Sequence, residues 1–294
     1  MGAMISAQLS QRPLAAVLMV VGSAACFGAM VLFGRFAYED GMTPASLLFL
    51  RFAIAAPLLW LLAIGRGLPP VGVRAAGTAV LMGAVFVGNS LAYFVALSRA
   101  PAATVAVLFF TYPVIVLACE RFLYRERAGR NGVLAVVLGS AGAALTVGPT
   151  DLSLDGGASL ALLAAVFYSG YVLLARAGAA EVSPVLRTAI ITSVAAGVLG
   201  IIAVRQGLTL PTSSSGWAAT LALAVVSTVL ALTLFLAGVA HLGPARAATV
   251  SAAEPAVAAM LAALFLHEPL GPTSMAGMAM VIASAVLVAR AGRS

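Results

Sequence analysis

A chain of 294 residues that is 63% hydrophobic and only 9% charged cannot cover itself with polar surface, because a soluble domain carries roughly a quarter charged residues. Its mean hydropathy is +1.12, and its net charge of +7 comes from sixteen arginines, with no lysine, against nine acids. A Walker phosphate loop and a Schiff-base site for retinal or pyridoxal phosphate both need a lysine, so both are excluded and no cofactor is expected.

Residues 1–12 are polar and read as a disordered N-terminal cytoplasmic tail. The first apolar run, about Leu14 to Gly34, is longer than a signal-peptide core and opens a repeat, so it reads as a retained helix. Further runs follow at about Ala45–Ile64, Ala75–Leu97, Ala102–Cys119 and Asn131–Val147. After the acidic turn Asp151–Asp155 come Gly157–Ala175, Val185–Val204, Trp217–Ala240, Arg246–Leu266 and Pro272–Ala289. Each is long enough to cross a bilayer as a helix. Cys26 and Cys119 lie inside such runs without metal-ligand spacing, so they read as core residues and no metal site is expected.

The stretch Ala92–Glu126 recurs as Leu234–Glu268, offset by 142 residues without a gap. In each copy a turn with a basic residue (Arg99, His241) leads into an apolar helix. That helix contains a proline, Pro113 or Pro255, that should kink it, and ends in a turn with an acid, Glu126 or Glu268. Upstream the offset drifts: Arg35 matches Arg176 at 141, and Pro44 matches Pro184 at 140. The chain thus divides into a first repeat over residues 13–150 and a second over 151–294, five helices each. The expected fold is an all-α membrane protein with ten transmembrane helices as two five-helix repeats.

Arginine placement sets the expected orientation. With the N-terminus inside, Arg12, Arg66, Arg74, Arg121, Arg125, Arg127, Arg130, Arg176, Arg187, Arg246, Arg290 and Arg293 lie at the inner face. Only Arg35, Arg99 and Arg205 lie at the outer face. This predicts a multi-pass protein of a bacterial-type inner membrane, with both termini cytoplasmic. Because five is odd, the repeats are inverted, the arrangement that gives a central site two similar gates.

With "TYPVIVLACERFLYRE" in one half and "AAEPAVAAMLAALFLHE" in the other, the chain resembles the EamA-type branch of the drug/metabolite transporter superfamily over nearly its whole length. The Glu254-Pro255 pair with Glu268 at the following turn is the sharper motif. Tyr112-Pro113 and a longer arginine-rich turn depart from it. The resemblance implies a secondary exporter of small metabolites, including amino acids, that does not hydrolyse ATP. Among members it is similar to the YddG-like exporters of aromatic amino acids.

Glu254 is read as the carboxylate deep inside an apolar run. Function is the default expectation for such a group: proton coupling, or a counter-charge for a substrate amine. The alternative is a structural acid that satisfies backbone groups freed by Pro255. Arg51 lies about 9 Å into its helix, where it either meets a substrate carboxylate or, the favoured reading, snorkels to the outer interface. Asn89, Ser90, Tyr112, Tyr168, Tyr171, Ser227 and Thr228 are candidate cavity-lining residues, since a hydroxyl in lipid turns towards protein; Tyr168 and Tyr171, three apart, share one helix face. Trp60, Trp217, Tyr38 and Tyr124 read as interface anchors. Gly139 with Ala143, and Ala279 with Ala283, read as close-packing positions. The expected partners are a small-molecule solute and the lipid bilayer, not nucleic acid, and a homo-oligomer is left open. An intramembrane enzyme would need clustered nucleophiles or metal ligands, yet the two histidines, His241 and His267, fall at opposite faces. A non-transporting scaffold or receptor would have no evident use for an inverted duplication.

Overall fold

The computed structural model describes residues 2–67, 71–123, 129–148, 156–177, 182–267 and 269–291. Among them the chain contains helices and turns but no strand, and ten helices are long and apolar enough to cross a membrane. They are α1 Leu14–Glu39, α2 Pro44–Gly65, α3 Val73–Leu97, α4 Thr104–Leu123, α5 Arg130–Val147, α6 Gly156–Arg176, α7 Pro184–Arg205, α8 Ser214–Leu242, α9 Pro244–Phe265 and α10 Pro272–Arg290. Each apolar run falls on one of them. Large side chains such as Leu61, Phe122, Leu264 and Ile282 point outward and stay exposed, which suits a lipid-facing belt. With an even number of spans, both chain ends lie on one face, here called the terminal face. Glu126, Glu268 and Tyr124 lie outside the described residues.

One expectation is corrected below. Helix Gly2–Gly28 begins ahead of the first membrane span. Its Met, Ala, Gln and Leu residues are good helix formers, and extending an existing helix avoids the cost of nucleation. Ala279 and Ala283 do not mediate close packing, because both are exposed. The contact of α10 with α5 is made one face over. There a Cβ on Gly142 would come within 2.8 Å of the Gly277 carbonyl, and the Ser284 hydroxyl donates to Ala135 O at 2.7 Å. Two glycines brought backbone to backbone fix the helical phase more strongly than alanines can.

The repeat is visible in local structure. Thr43 and Ser183, each followed by a proline, cap α2 and α7 by accepting from the N–H of Ser46 and Leu186, both at 3.3 Å. Helix α4 is interrupted between Phe109 and Tyr112, and α9 between Ser251 and Glu254. These positions correspond at the offset of 142. In both, the proline that follows (Pro113, Pro255) lacks an N–H for the carbonyl four residues back and collides with it. Gly243, at φ +80°, makes the tight turn between α8 and α9, a backbone conformation that favours glycine.

Packing obeys the same symmetry. Helices α5 and α10 pack together, as do α2 and α7, and each of these pairs is its own image. The pair α3 with α6 is matched by α8 with α1, and α4 with α6 by α9 with α1. Two departures stand out on one side. Helix α1 is interrupted at Ala29, and α8 carries a π-helical segment, Val225–Leu230, whereas α6 and α3 run without a break.

Candidate functional site

The interrupted helices α4 and α9 bring their irregular turns to the middle of the bundle, and the aromatic candidates collect there. Tyr112 restarts α4 and is fully buried. Its hydroxyl donates to Ala248 O of α9 at 3.3 Å, and its ring meets that of Tyr168 edge-on at 4.7 Å. Tyr168 in turn stacks on Tyr171 at 5.6 Å, so the shared face expected from their spacing is seen. Phe109, just before the break, is the hub: its ring lies 5.2 Å from Tyr93, 5.5 Å from Tyr112 and 5.4 Å from Tyr168. Phe235 of α8 stacks against Tyr171 at 6.3 Å and 14°.

Glu254 opens the second segment of α9. Although near mid-helix, it is only half-buried. Among the described residues its carboxylate accepts no hydrogen bond and makes no ion pair. No hydrogen bond joins it to a backbone group freed by Pro255 among the described residues. At the repeat offset of 142 it holds the position that Tyr112 holds in α4. Gly28 of α1 covers its backbone: a Cβ there would lie 3.0 Å from Glu254 O.

Arg51 is the second correction at the site. It does not snorkel but is 5% exposed. Its Nε donates to Thr228 Oγ1 at 3.1 Å, one terminal nitrogen faces Met30 Sδ at 2.9 Å, and the other reaches Ser227 O at 3.5 Å. Its guanidinium lies 4.7 Å over the Phe52 ring. The wide π-helical turn of α8 presents the Ser227 carbonyl and the Thr228 hydroxyl sideways, and enclosure by protein removes any gain from reaching for headgroups. Arg51 and Glu254 form no salt bridge.

The remaining candidates separate into two groups. Ser227 and Thr228 are engaged in packing: Ser227 Oγ donates to Cys26 O at 2.6 Å and Thr228 Oγ1 to Leu223 O at 3.1 Å. Ser90 Oγ returns to Phe86 O in its own helix at 3.0 Å. By contrast, buried Asn89 Oδ1 and the Tyr171 hydroxyl have no partner among the described residues. Trp60 is a tie between helices more than an interface anchor, with Nε1 donating to Ser193 Oγ of α7 at 3.0 Å.

Sequence reasoning missed Tyr93, Phe109 and Phe235, because aromatic residues in a run carry no sign of which face they occupy. It also missed Glu120, which is 8% exposed on α4, since the charged pair Glu120-Arg121 looks like the end of the run. Arg187, read as a face residue, is 4% exposed and donates to Ala175 O at 2.6 Å.

At the face opposite the termini, the turn after α1 is tied to the turn before α8. Asp40 accepts from the backbone N–H groups of Thr212 and Ser213 at 2.7 and 3.3 Å and from the Thr212 hydroxyl at 3.1 Å. Thr209 Oγ1 accepts from Thr43 N at 3.0 Å, and Ser46 Oγ from Thr209 N at 2.9 Å. Hydrogen bonds from Ser213 and Thr212 hold the Asp40 carboxyl below the usual carboxylate range.

A sequence profile described as the EamA-like transporter family matches residues 14–148 and again 155–290. The chain is 26% identical to the uncharacterized transporter YcbK of Bacillus subtilis (strain 168) over 275 residues, covering 89% of this chain and 88% of that one. It is also 26% identical to the uncharacterized transporter YwfM of the same organism, over 62% of each chain. A solved crystal structure superposes with a TM-score of 0.82, covering 93% of this chain and 97% of the other at 19% identity, a likeness of fold alone.

Proposed function

The chain belongs to the EamA-like transporter family of the drug/metabolite transporter superfamily, and from that premise we propose a secondary exporter that moves small aromatic or neutral metabolites, amino acids among them, out of the cytoplasm by alternating access without ATP hydrolysis. The observation that carries this reading is the matched pair of interruptions in α4 and α9. They sit mid-bundle in helices related by the internal repeat and bear Tyr112 in one copy and Glu254 in the other. Discontinuous helices at a repeat interface are where secondary transporters place their solute site. Tyr93, Phe109, Tyr112 and Tyr168 wall that site, a surface suited to flat apolar groups. The arginine bias puts the terminal face in the cytoplasm of a bacterial-type inner membrane. The turns Ser98–Ala103 and Ala240–Ala245, at opposite faces between corresponding helices, then serve as gate hinges.

Solute flux in proteoliposomes tests this. Phenylalanine loaded on one side should exchange with phenylalanine on the other without nucleotide. Cysteines at Ser98 and Ala240, in a background lacking Cys26 and Cys119, should change thiol accessibility in opposite directions on adding a transported solute. Parallel changes would indicate a static pore.

A further inference from the structure

We propose that Asn89 and Tyr171 read a hydroxyl on the ring of the solute, so that the central site selects phenols over the same rings without that oxygen. The inference rests on the reading of the ring cluster as the solute site and names the solute class that this site prefers.

Contacts between rings define the place. From Phe86 of α3 the rings run to Tyr171 at 5.3 Å, on to Tyr168 at 5.6 Å, to Phe109 at 5.4 Å and back to Tyr93 of α3 at 5.2 Å. Asn89 lies between the two ends of this arc, three residues after Phe86 and four before Tyr93, hence on the same helix face. Helices α3 and α6 run antiparallel here: a Cβ on Gly88 would lie 3.2 Å from the Phe167 ring, and one on Gly157 2.6 Å from Ala100 Cβ. Asn89 and Tyr168 therefore flank one interhelical contact. Tyr171 is a turn further along α6 and leans back towards that level, because helical side chains tilt towards the helix N-terminus.

Both residues carry a polar atom with nothing to bond. Asn89 is 7% exposed and Tyr171 0%, and neither Asn89 Oδ1 nor the Tyr171 hydroxyl has a partner among the described residues. The hydroxyls beside them are spent elsewhere, Ser90 on Phe86 O at 3.0 Å and Ser169 on Ala165 O at 2.7 Å. Leaving a buried group unbonded costs more than one hydrogen bond returns, so a ligand that supplies both halves gains most. An amide oxygen only accepts, whereas a phenol both donates and accepts. One hydroxyl on the solute therefore serves both residues, donating to Asn89 Oδ1 and accepting from Tyr171. The desolvation cost stays small because all three groups are uncharged. A ring N–H, as in indole, meets only Asn89. A bare ring displaces water and leaves both groups unbonded, which is how a polar pocket rejects an analogue lacking its hydroxyl. Tyr93 and Phe109, at one end of the arc, keep part of their surface accessible, which leaves that end for entry.

The test compares tyrosine, phenylalanine and O-methyltyrosine by calorimetry on the full-length protein in lipid nanodiscs at neutral pH. Tyrosine should bind about tenfold or more tighter than phenylalanine. O-Methyltyrosine, which keeps the oxygen but cannot donate, should bind no tighter than phenylalanine. In Asn89→Leu the ratio of tyrosine to phenylalanine affinity should fall below about threefold, and Tyr171→Phe should lower it as well. Equal affinities in the unaltered protein, O-methyltyrosine matching tyrosine, or a ratio unchanged in Asn89→Leu overturns the inference. Should Asn89→Leu fail to fold, Tyr171→Phe decides in its place, an unchanged ratio counting against the inference. Flux separates the two levels. Exchange of phenylalanine and tyrosine bound with equal affinity refutes the inference and leaves the exporter reading standing. None of the three compounds bound or moved refutes both.

Discussion

The two lateral helix pairs, α1 with α8 and α6 with α3, descend from the same place in the repeat and have become physically opposite. At the offsets of the repeat (140 to 142), Arg51 corresponds to Ile191, Thr228 to Phe86 and Met30 to Tyr171. At the first pair these residues form a polar knot: Arg51 of the neighbouring α2 bonds Thr228 and Met30, α8 is widened into a π turn, and Ser23 Oγ donates across to Ala231 O at 2.7 Å. At the second pair they form an apolar wall, where Ile191 of the neighbouring α7 is fully buried, Phe86 and Tyr171 lie 5.3 Å apart, and both helices of the pair run unbroken. Duplication kept the helix count and the proline breaks, while the sides diverged. One side became a hydrogen-bonded framework that holds a charge in place, and the other supplies rings to the centre.

The largest effect should come from breaking the knot. Arg51→Ala removes charged hydrogen bonds from a buried site and should lower unfolding free energy in detergent by about 2–3 kcal/mol. Ile191→Val, its image, should cost about 1 kcal/mol. Equal losses would show that the knot does not bear on stability.

Exchanging image residues sharpens the comparison next. Gly238 of α8 corresponds to Ala96 of α3, and a Cβ at Gly238 would run into Val20 of α1. Valine is stiff at χ1, so Gly238→Ala should cost about 1–2 kcal/mol. Ala96→Gly should cost about 0.5–1 kcal/mol through helix propensity and lost packing. A stabilising Gly238→Ala would mean that α1 shifts freely against α8. Removing a single interhelical bond with Ser227→Ala should cost about 0.6 kcal/mol, and Val85→Ser, at its image position, should return none of it.

The smallest effect is expected at the face opposite the termini. Because hydrogen bonds from Ser213 and Thr212 lower the folded carboxyl's value, the contribution of Asp40 is complete above the unfolded value of about 4. It disappears as pH falls through the lower folded value. Asp40→Asn at neutral pH should raise amide exchange at Thr212 and Ser213 severalfold, and the difference from the unaltered protein should vanish in acid. Exchange equal in both proteins at neutral pH would remove Asp40 from the tie.

The sequence alone determined the ten spans, the twofold repeat and the positions of the breaks in α4 and α9. Those features rest on run length and on the missing N–H of Pro113 and Pro255, which are properties of the local chain. It also marked Glu254 and put Tyr168 and Tyr171 on one face, since charge and helical period are both local. Only the tertiary structure decided that Arg51 is enclosed, that Gly277 and not Ala279 faces α5, and that Phe109 joins the tyrosines into one wall. Thr228, the hydrogen-bond partner of Arg51, lies 177 residues away. No periodicity within a run tells which neighbour a face will meet. An arginine seven residues into a helix has the same local sequence whether it reaches lipid headgroups or a widened turn on another helix. The choice between them is made by the partner's geometry and by the cost of leaving a buried charge unbonded.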